Sequence, residues 1–277
     1  MKKLFFKISI IGTGLIGGSI ALAARKKGLA GEIIGICRHD KTMALAKKLK
    51  IVDLISKDID NIKGSDLVIF ATPVETIKKL APRASKLLDK KCVVTDIGST
   101  KQGIVRILGA KFENFLGSHP LAGSEKRGAA YANASIFKGS VCILTPTAKT
   151  SRMALRKIEK FWKSLGVKTV KMPAEQHDAI ISLTSHLPHL LAFSLMTITP
   201  KDHFKFAAGG FKDTTRIAAS DSEIWSDIFL NNSDNLIKSL RTLQKQLQWL
   251  KNAISQKNSA ALKKYINRAK GKRILLQ

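Results

Sequence analysis

Three cysteines, two tyrosines and 20 acidic residues are all that 277 positions hold of these types. Cys37, Cys92 and Cys142 lie far apart in apolar segments. They offer neither metal-ligand spacing nor an even disulfide framework. That argues against a bound metal and a stapled fold, and a reducing compartment, the cytoplasm, is expected. The apolar stretches read as too short for a membrane span. The opening "MKKLFFKISIIGTG" has the lysines and apolar run of an export signal. The run passes straight into glycines without a small-residue cleavage site, so it reads as a first strand. Neither an internal repeat nor a low-complexity segment is present.

The shortage of acid leaves 48 Lys and Arg unbalanced, for a net charge of +28. Such a balance raises the question of a nucleic-acid partner. The lysines are scattered over nearly every expected helix, and no basic motif is interleaved with aromatics. The charge therefore reads as solvated faces, which also steer anionic small molecules inward. A small-molecule ligand is expected, with neither nucleic acid nor membrane as partner.

What the chain does have is alternation. The 44% hydrophobic and 25% charged fractions are those of a globular protein. Apolar strand-like runs fall at 5–12, 31–38, 65–73, 91–99, 139–147 and 167–173, with a short one opening the segment 115–125. Helical patterns fall between them at 15–28, 41–50, 74–88, 100–112 and 151–166, and Pro82 marks a kink or break in the third helix. This order predicts an α/β fold, a Rossmann-type doubly wound parallel sheet with helices on both faces. At about Pro173 the pattern changes to helical spacing alone. Residues 1–172 thus read as a dinucleotide-binding domain and 173–277 as an all-helical one. The helical part includes one long amphipathic helix from Ser233 to about Asn258 and has apolar positions enough to face a partner chain.

Gly12, Gly14 and Gly17 form G-x-G-x-x-G between the first strand and the first helix. In that context the first glycine permits the tight turn, the second admits a pyrophosphate, and the third allows close helix–sheet packing. Leu15 and Ile16 open the helix whose N-terminus faces the phosphates. Thr72 and Pro73, at the end of the third strand, complete the expected cofactor-binding set. An acidic residue ending the second strand would hold an NAD ribose. Cys37, Arg38 and His39 stand there instead, with Asp40 following. Arg38 suits a 2′-phosphate, which favours NADP over NAD.

Four further blocks carry chemistry: "TDIGSTK" (95–101), "GSHPLAGSE" (117–125), "SHLPHL" (185–190) and "GGFKDTTRIAASDSEIW" (209–225). The second holds His119 on what reads as a Pro/Gly turn, a poor setting for a core histidine and a good one for a proton base at the ligand edge of the sheet. Ser99 reads equally as an N-cap for the helix that "STKQ" opens. His186 and His189 share a helix face. Arg216 offers the planar fork that binds carboxylates bidentately.

In this order, behind the glycine fingerprint, the blocks resemble the prephenate and arogenate dehydrogenases, the TyrA family, over essentially the whole chain. The resemblance implies a Rossmann domain joined to a helical dimerisation domain, hence a homodimer. It implies oxidative decarboxylation of prephenate to 4-hydroxyphenylpyruvate, with hydride transfer to NADP or NAD; arogenate is the alternative substrate. It assigns the base to His119, a serine bonded to that histidine and to the substrate hydroxyl to Ser99, and the substrate-carboxylate clamp to Arg216. Ser185, His186 and His189 match substrate-binding positions, as do Glu125, Lys212 and Trp225 at the edge of the site. Neither a C-terminal regulatory domain nor a preceding mutase segment is expected. Tyrosine feedback would then act at the active site itself. A 3-hydroxyacid dehydrogenase of the same architecture and a non-catalytic basic nucleotide-binding protein are the rival readings.

Overall fold

The computed structural model describes residues 3–123 and 126–276 and divides into two compact units, 1–232 and 233–277. In the first, eight strands form one sheet: β1 (Phe5–Ile11), β2 (Ala30–Ile36), β3 (Leu54–Ser56), β4 (Leu67–Phe70), β5 (Val93–Asp96), β6 (Phe115–Pro120), β7 (Val141–Thr145) and β8 (Lys168–Lys171). Their order is β3-β2-β1-β4-β5-β6-β7-β8. The helices between them are α1 (Leu15–Lys26), α2 (Asp40–Lys48), α3 (Val74–Leu87), α4 (Gln102–Lys111) and α5 (Arg152–Ser164).

The central strands β4 and β5 are buried along their whole length because both faces are covered. On β4, Leu67 and Ile69 join one core cluster with Ile20 of α1 and Ile158 and Trp162 of α5. Val68 and Phe70 point the other way, into a cluster with Ile77 of α3 and Leu108 of α4.

Two expectations about the sheet and its helices are corrected, and one short strand is added. The sheet is mixed, because β6 and β7 pair antiparallel while the other pairs are parallel. Pro82 does not break α3, which continues through it to Leu87. The three-residue β3 carries too short a pattern to be legible in the sequence.

Beyond β8 the first unit is helical. The helix α6 (Ala174–Ile181) runs through a π turn, Ser182–His186, directly into α7 (Leu187–Ile198), with α8 (Gly209–Thr215) and α9 (Ser222–Asn231) following. Pro188 enters at the start of α7, where its missing N–H is cheapest. By length and composition the run Ala174–Ile198 could cross a membrane, which corrects the expectation that no stretch is long enough. The second unit is the helical pair α10 (Ser233–Ser255) and α11 (Ser259–Ile274), with Trp249 stacked on Tyr265. The long helix expected from Ser233 is α10.

Candidate active site

The C-terminal ends of β1, β4, β5 and β6 converge on one edge of the sheet, where open α/β sheets bind ligands. The fingerprint glycines occupy the first of these ends. Gly12 has φ +102°, and a Cβ there would sit 2.6 Å from the carbonyl oxygen of Ala71. At Gly17 a Cβ would lie 1.9 Å from the carbonyl oxygen of Gly12. Packing within the protein thus explains the first and third glycines. At Gly14 an added Cβ meets nothing within 4 Å, so nothing in the protein requires the small residue there. The open position leaves room for a group approaching from outside, as a dinucleotide pyrophosphate set on the N-terminus of α1 would. Leu15 and Ile16 form the first turn of that helix. Thr72 and Pro73 lead into α3, and the buried Oγ1 of Thr72 has no hydrogen-bond partner among the described residues.

Arg38 is exposed past the end of β2. Asp40, just past that strand end, is paired with Lys57 at 2.6 Å.

His119 lies on the last turn of pleat in β6, opposite Ile143 of β7, and not on a free turn as expected. Glycine and proline hid the strand. Gly117 is there because a Cβ would meet the Thr145 hydroxyl at 2.3 Å, and Pro120 takes the strand's last position. The Nδ1 of His119 lies 2.7 Å from Nε2 of His177, whose own Nδ1 lies 2.7 Å from Oδ1 of Asp178. His177 and Asp178 are buried. Desolvation, followed by the nearby His177, Lys101 and His186, holds His119 well below the ordinary imidazole pKa.

Ser99 is half-buried in the loop between β5 and α4. It does not cap that helix, which corrects the capping alternative. The helix begins at Gln102, and its first amides are held from a distance. Lys101 N–H donates to Oδ1 of Asp178 at 2.7 Å and Gln102 N–H to Oδ2 at 2.9 Å. A fully buried ion pair braces the same loop. Lys101 Nζ donates to the Asp96 carboxylate and, at 2.9 Å, to the carbonyl of Ser118, next to His119. Burial raises the Asp96 carboxyl above its usual range, with Lys101 opposing the shift.

His186 is buried on the π turn. Asn232 Nδ2 donates to its Nδ1 at 3.1 Å and to the backbone carbonyl of Asp178 at 2.8 Å. The amide donor fixes the proton of His186 on Nε2, which has no partner among the described residues. Burial depresses its pKa to about 4. His189 donates from Nδ1 to the carbonyl of Ser185 at 3.0 Å and stacks on Trp225, ring centroids 3.5 Å apart. Trp225 also meets the edge of His186, so the two histidines do share a face. Desolvation lowers the His189 pKa, opposed by the Ser185 carbonyl and aided by the charge of Arg216, and the turn Arg216–Ala219 packs against α7. Lys212 and Arg216 are exposed, the first on α8 and the second in the turn after it. Glu125 lies outside the described residues.

Sequence reading missed His177, Asp178, Asn232, Lys101, Asp96 and Lys57. One signal was available. On α6 the buried stripe is Ala174, His177, Asp178 and Ile181, the i, i+3, i+4, i+7 spacing of a core face, with two ionisable residues inside it.

Comparison with known proteins adds the following. Residues 20–171 match the family model for the prephenate dehydrogenase nucleotide-binding domain, and residues 173–268 the model for the prephenate dehydrogenase dimerization domain. The chain is 36% identical to a prephenate dehydrogenase of Bacillus subtilis, over 98% of its own length and 76% of the relative's. It is similar, with a TM-score of 0.90 and 34% identity, to a prephenate dehydrogenase of A. aeolicus solved with hydroxyphenyl propionate and NAD+, over 98% of each chain. A Synechocystis arogenate dehydrogenase gives a TM-score of 0.83 and 28% identity, over 97% of this chain and 99% of the other.

Proposed function

The chain belongs to the prephenate dehydrogenase family, an oxidoreductase of NAD(P), and from that premise we propose that it converts prephenate, carbon dioxide leaving, to 4-hydroxyphenylpyruvate. The observation that carries the proposal is His119. It is a neutral imidazole at the carboxyl edge of the sheet that holds the glycine fingerprint, and a neutral imidazole can accept the hydroxyl proton as the carbinol is oxidised. The bound nicotinamide supplies the hydride acceptor. As the ring carboxylate departs as carbon dioxide, its bonding pair enters the ring and makes it aromatic. The protein's task is then to bind a dianion, take one proton and exclude water.

Arg216 has the right chemistry for the substrate carboxylate, and the packing of its turn against α7, which carries His189, supports that placement. The Nε2–H of His186 is a buried donor suited to a substrate oxygen. Ser99, in the braced loop, is assigned to the substrate hydroxyl. Ser185, His189 and Trp225 are assigned to the substrate as well, supported by the contacts of His189 with the other two, and Lys212 and Glu125 are assigned by the family resemblance. Gly12, Gly14, Leu15, Ile16, Gly17, Thr72 and Pro73 are assigned to the dinucleotide. NADP is the preferred cofactor, because Arg38 is exposed at the strand end and Lys57 already engages Asp40.

The functional boundary is placed near Pro173, where one matched family model ends and the other begins. The helical part is assigned to homodimerisation, supported by the exposed Leu230, Ile237 and Leu247. The enzyme is placed in the cytoplasm. Arogenate is a second reading, favoured by the likeness to the Synechocystis enzyme. A steady-state assay crossing prephenate and arogenate with NADP and NAD tests the proposal. Oxidation of prephenate with NADP at the highest kcat/KM is the expected result, and turnover of neither substrate would overturn it.

A further inference from the structure

We propose that His177 and Asp178 are positioning residues that fix the tautomer of His119, and so decide which of its ring nitrogens takes the substrate proton. The inference rests on His119 being the base.

The assignment follows from donors and acceptors alone. Both oxygens of Asp178 already accept backbone N–H groups, Oδ1 from Lys101 at 2.7 Å and Oδ2 from Gln102 at 2.9 Å. These amides belong to the start of α4, where a helix favours negative charge. Asp178 is therefore an acceptor toward every neighbour. Its 2.7 Å contact with His177 requires the proton on Nδ1 of His177. The other nitrogen of His177, Nε2, then has only a lone pair. It lies 2.7 Å from Nδ1 of His119, and that contact needs a donor, so the proton of His119 sits on Nδ1. Its Nε2 is left as the lone pair that meets the substrate. The order of polarity along the three side chains has no second solution while Asp178 stays an ionised acceptor on α4 and His177 stays neutral, as its burial favours.

The same carboxylate does two positioning tasks. It orders the loop that carries Ser99, by holding the amides that follow it, and it orients the imidazole at the end of β6. Asn232 extends the connection, donating to the carbonyl of Asp178 and to Nδ1 of His186. When His119 gains a proton its Nδ1–H remains donated to His177, and the Asp178 charge lies behind. No proton has to move along the chain for this to stabilise the imidazolium.

The charged and titratable groups around His119 are His177 and Asp178 of α6, His186 of the π turn, and the Lys101–Asp96 pair of the β5–α4 loop. Among the described residues, the hydrogen-bond partner of its Nδ1 is His177.

The test compares His177→Leu with His177→Gln. Leucine removes the acceptor, whereas the glutamine carbonyl can sit near the Nε2 position and still accept from His119. His177→Leu should lower kcat roughly 10²-fold, within the range of general-base contributions, with KM for prephenate changed less than about threefold. His177→Gln should recover most of that loss. In the background of His119→Asn, His177→Leu should cost nothing further, since a residue acting through His119 has nothing left to act on. An additive loss in that background, or equal kcat for the leucine variant and the parent, overturns the proposal. In the unsubstituted enzyme, nitrogen-detected NMR should show neutral His119 protonated on Nδ1, and protonation on Nε2 overturns it without any variant. If His119→Asn itself keeps full turnover, the base assignment has failed instead, and the two failures are told apart by that single variant.

Discussion

Acidification should unfold this protein through histidines that the native state keeps neutral, and His186 allows the size of the effect to be worked out. It is fully buried, with a pKa near 4 against 6.5 for a free imidazole, and desolvation is the main cause. The unfolded chain therefore binds the proton first as the pH falls. The stability from keeping His186 neutral is complete above about pH 6.5 and is lost as the pH drops toward 4. Linkage over a gap of this size gives a loss of about 2 kcal/mol between pH 7 and pH 5, and about 3 kcal/mol by pH 4. His119, His177 and His189 are shifted in the same direction, so the whole protein should lose more than this. The difference between the parent and His186→Gln isolates the one residue. Urea unfolding followed by tryptophan fluorescence reads the first unit through Trp162 and Trp225. Glutamine has its own cost at every pH, through the bond from Asn232 and the lost contact with Trp225, but that offset does not titrate. The variant should lose about 2 kcal/mol less than the parent between pH 7 and pH 5. Losses equal within about 0.5 kcal/mol, well below the linkage expected for a buried imidazole, would refute the reasoning. His186 would then be solvated in the native state.

Four further outcomes are expected. His119→Asn should lower kcat roughly 10²–10⁴-fold with little change in KM, and the acidic limb of the parent's kcat/KM profile should fall below the free-imidazole value, as its lowered pKa requires; a pH–rate profile of parent and variant checks both. Arg216→Ala should raise KM for prephenate roughly 10–150-fold, the worth of a charged bidentate bond, leave NADP affinity intact, and be only partly rescued by Arg216→Lys; paired titrations with substrate and cofactor read this. Arg38→Asp should weaken NADP far more than NAD, and Lys57→Ala, which frees Asp40, should shift the preference the same way, as measured by the ratio of kcat/KM values. Light scattering at micromolar concentration should give a dimer mass, and a monomer mass would remove the helical interface.

The Rossmann half was legible because its signals are local. Gly17 is required by its contact with Gly12 within one strand–turn–helix and Gly12 by its φ of +102°, so the spacing is written in six consecutive residues, although Ala71 at the end of β4 also presses on Gly12. The apolar runs of β1, β4 and β5 and the change of period at Pro173 are local in the same way. His119, Ser99 and Arg216 stood out because each polar type sits in a segment of small residues with little else to do. Long-range pairing was not legible. The short strand expected to open 115–125 was read as giving way to a turn at His119, since Gly117 and Pro120 read as breakers until Thr145 and β7 supply the reason for them. Ser99 looked like a cap, since nothing in "STKQ" reveals that a carboxylate from α6 holds those amides.

Residue types and their spacing by themselves determined the glycine turn, the fold class and the change to helices, and the candidate reacting groups followed from the family resemblance. The first three depend on backbone conformations and hydrophobic periods a few residues long. Only the tertiary structure decided how the reacting groups are held. His119, His177 and Asp178, Asp178 and the amides of α4, and Lys57 with Asp40 are joined across many residues of chain. Hydrogen-bond direction, desolvation and charge proximity depend on distances in space, and a linear sequence does not contain those distances until packing closes them.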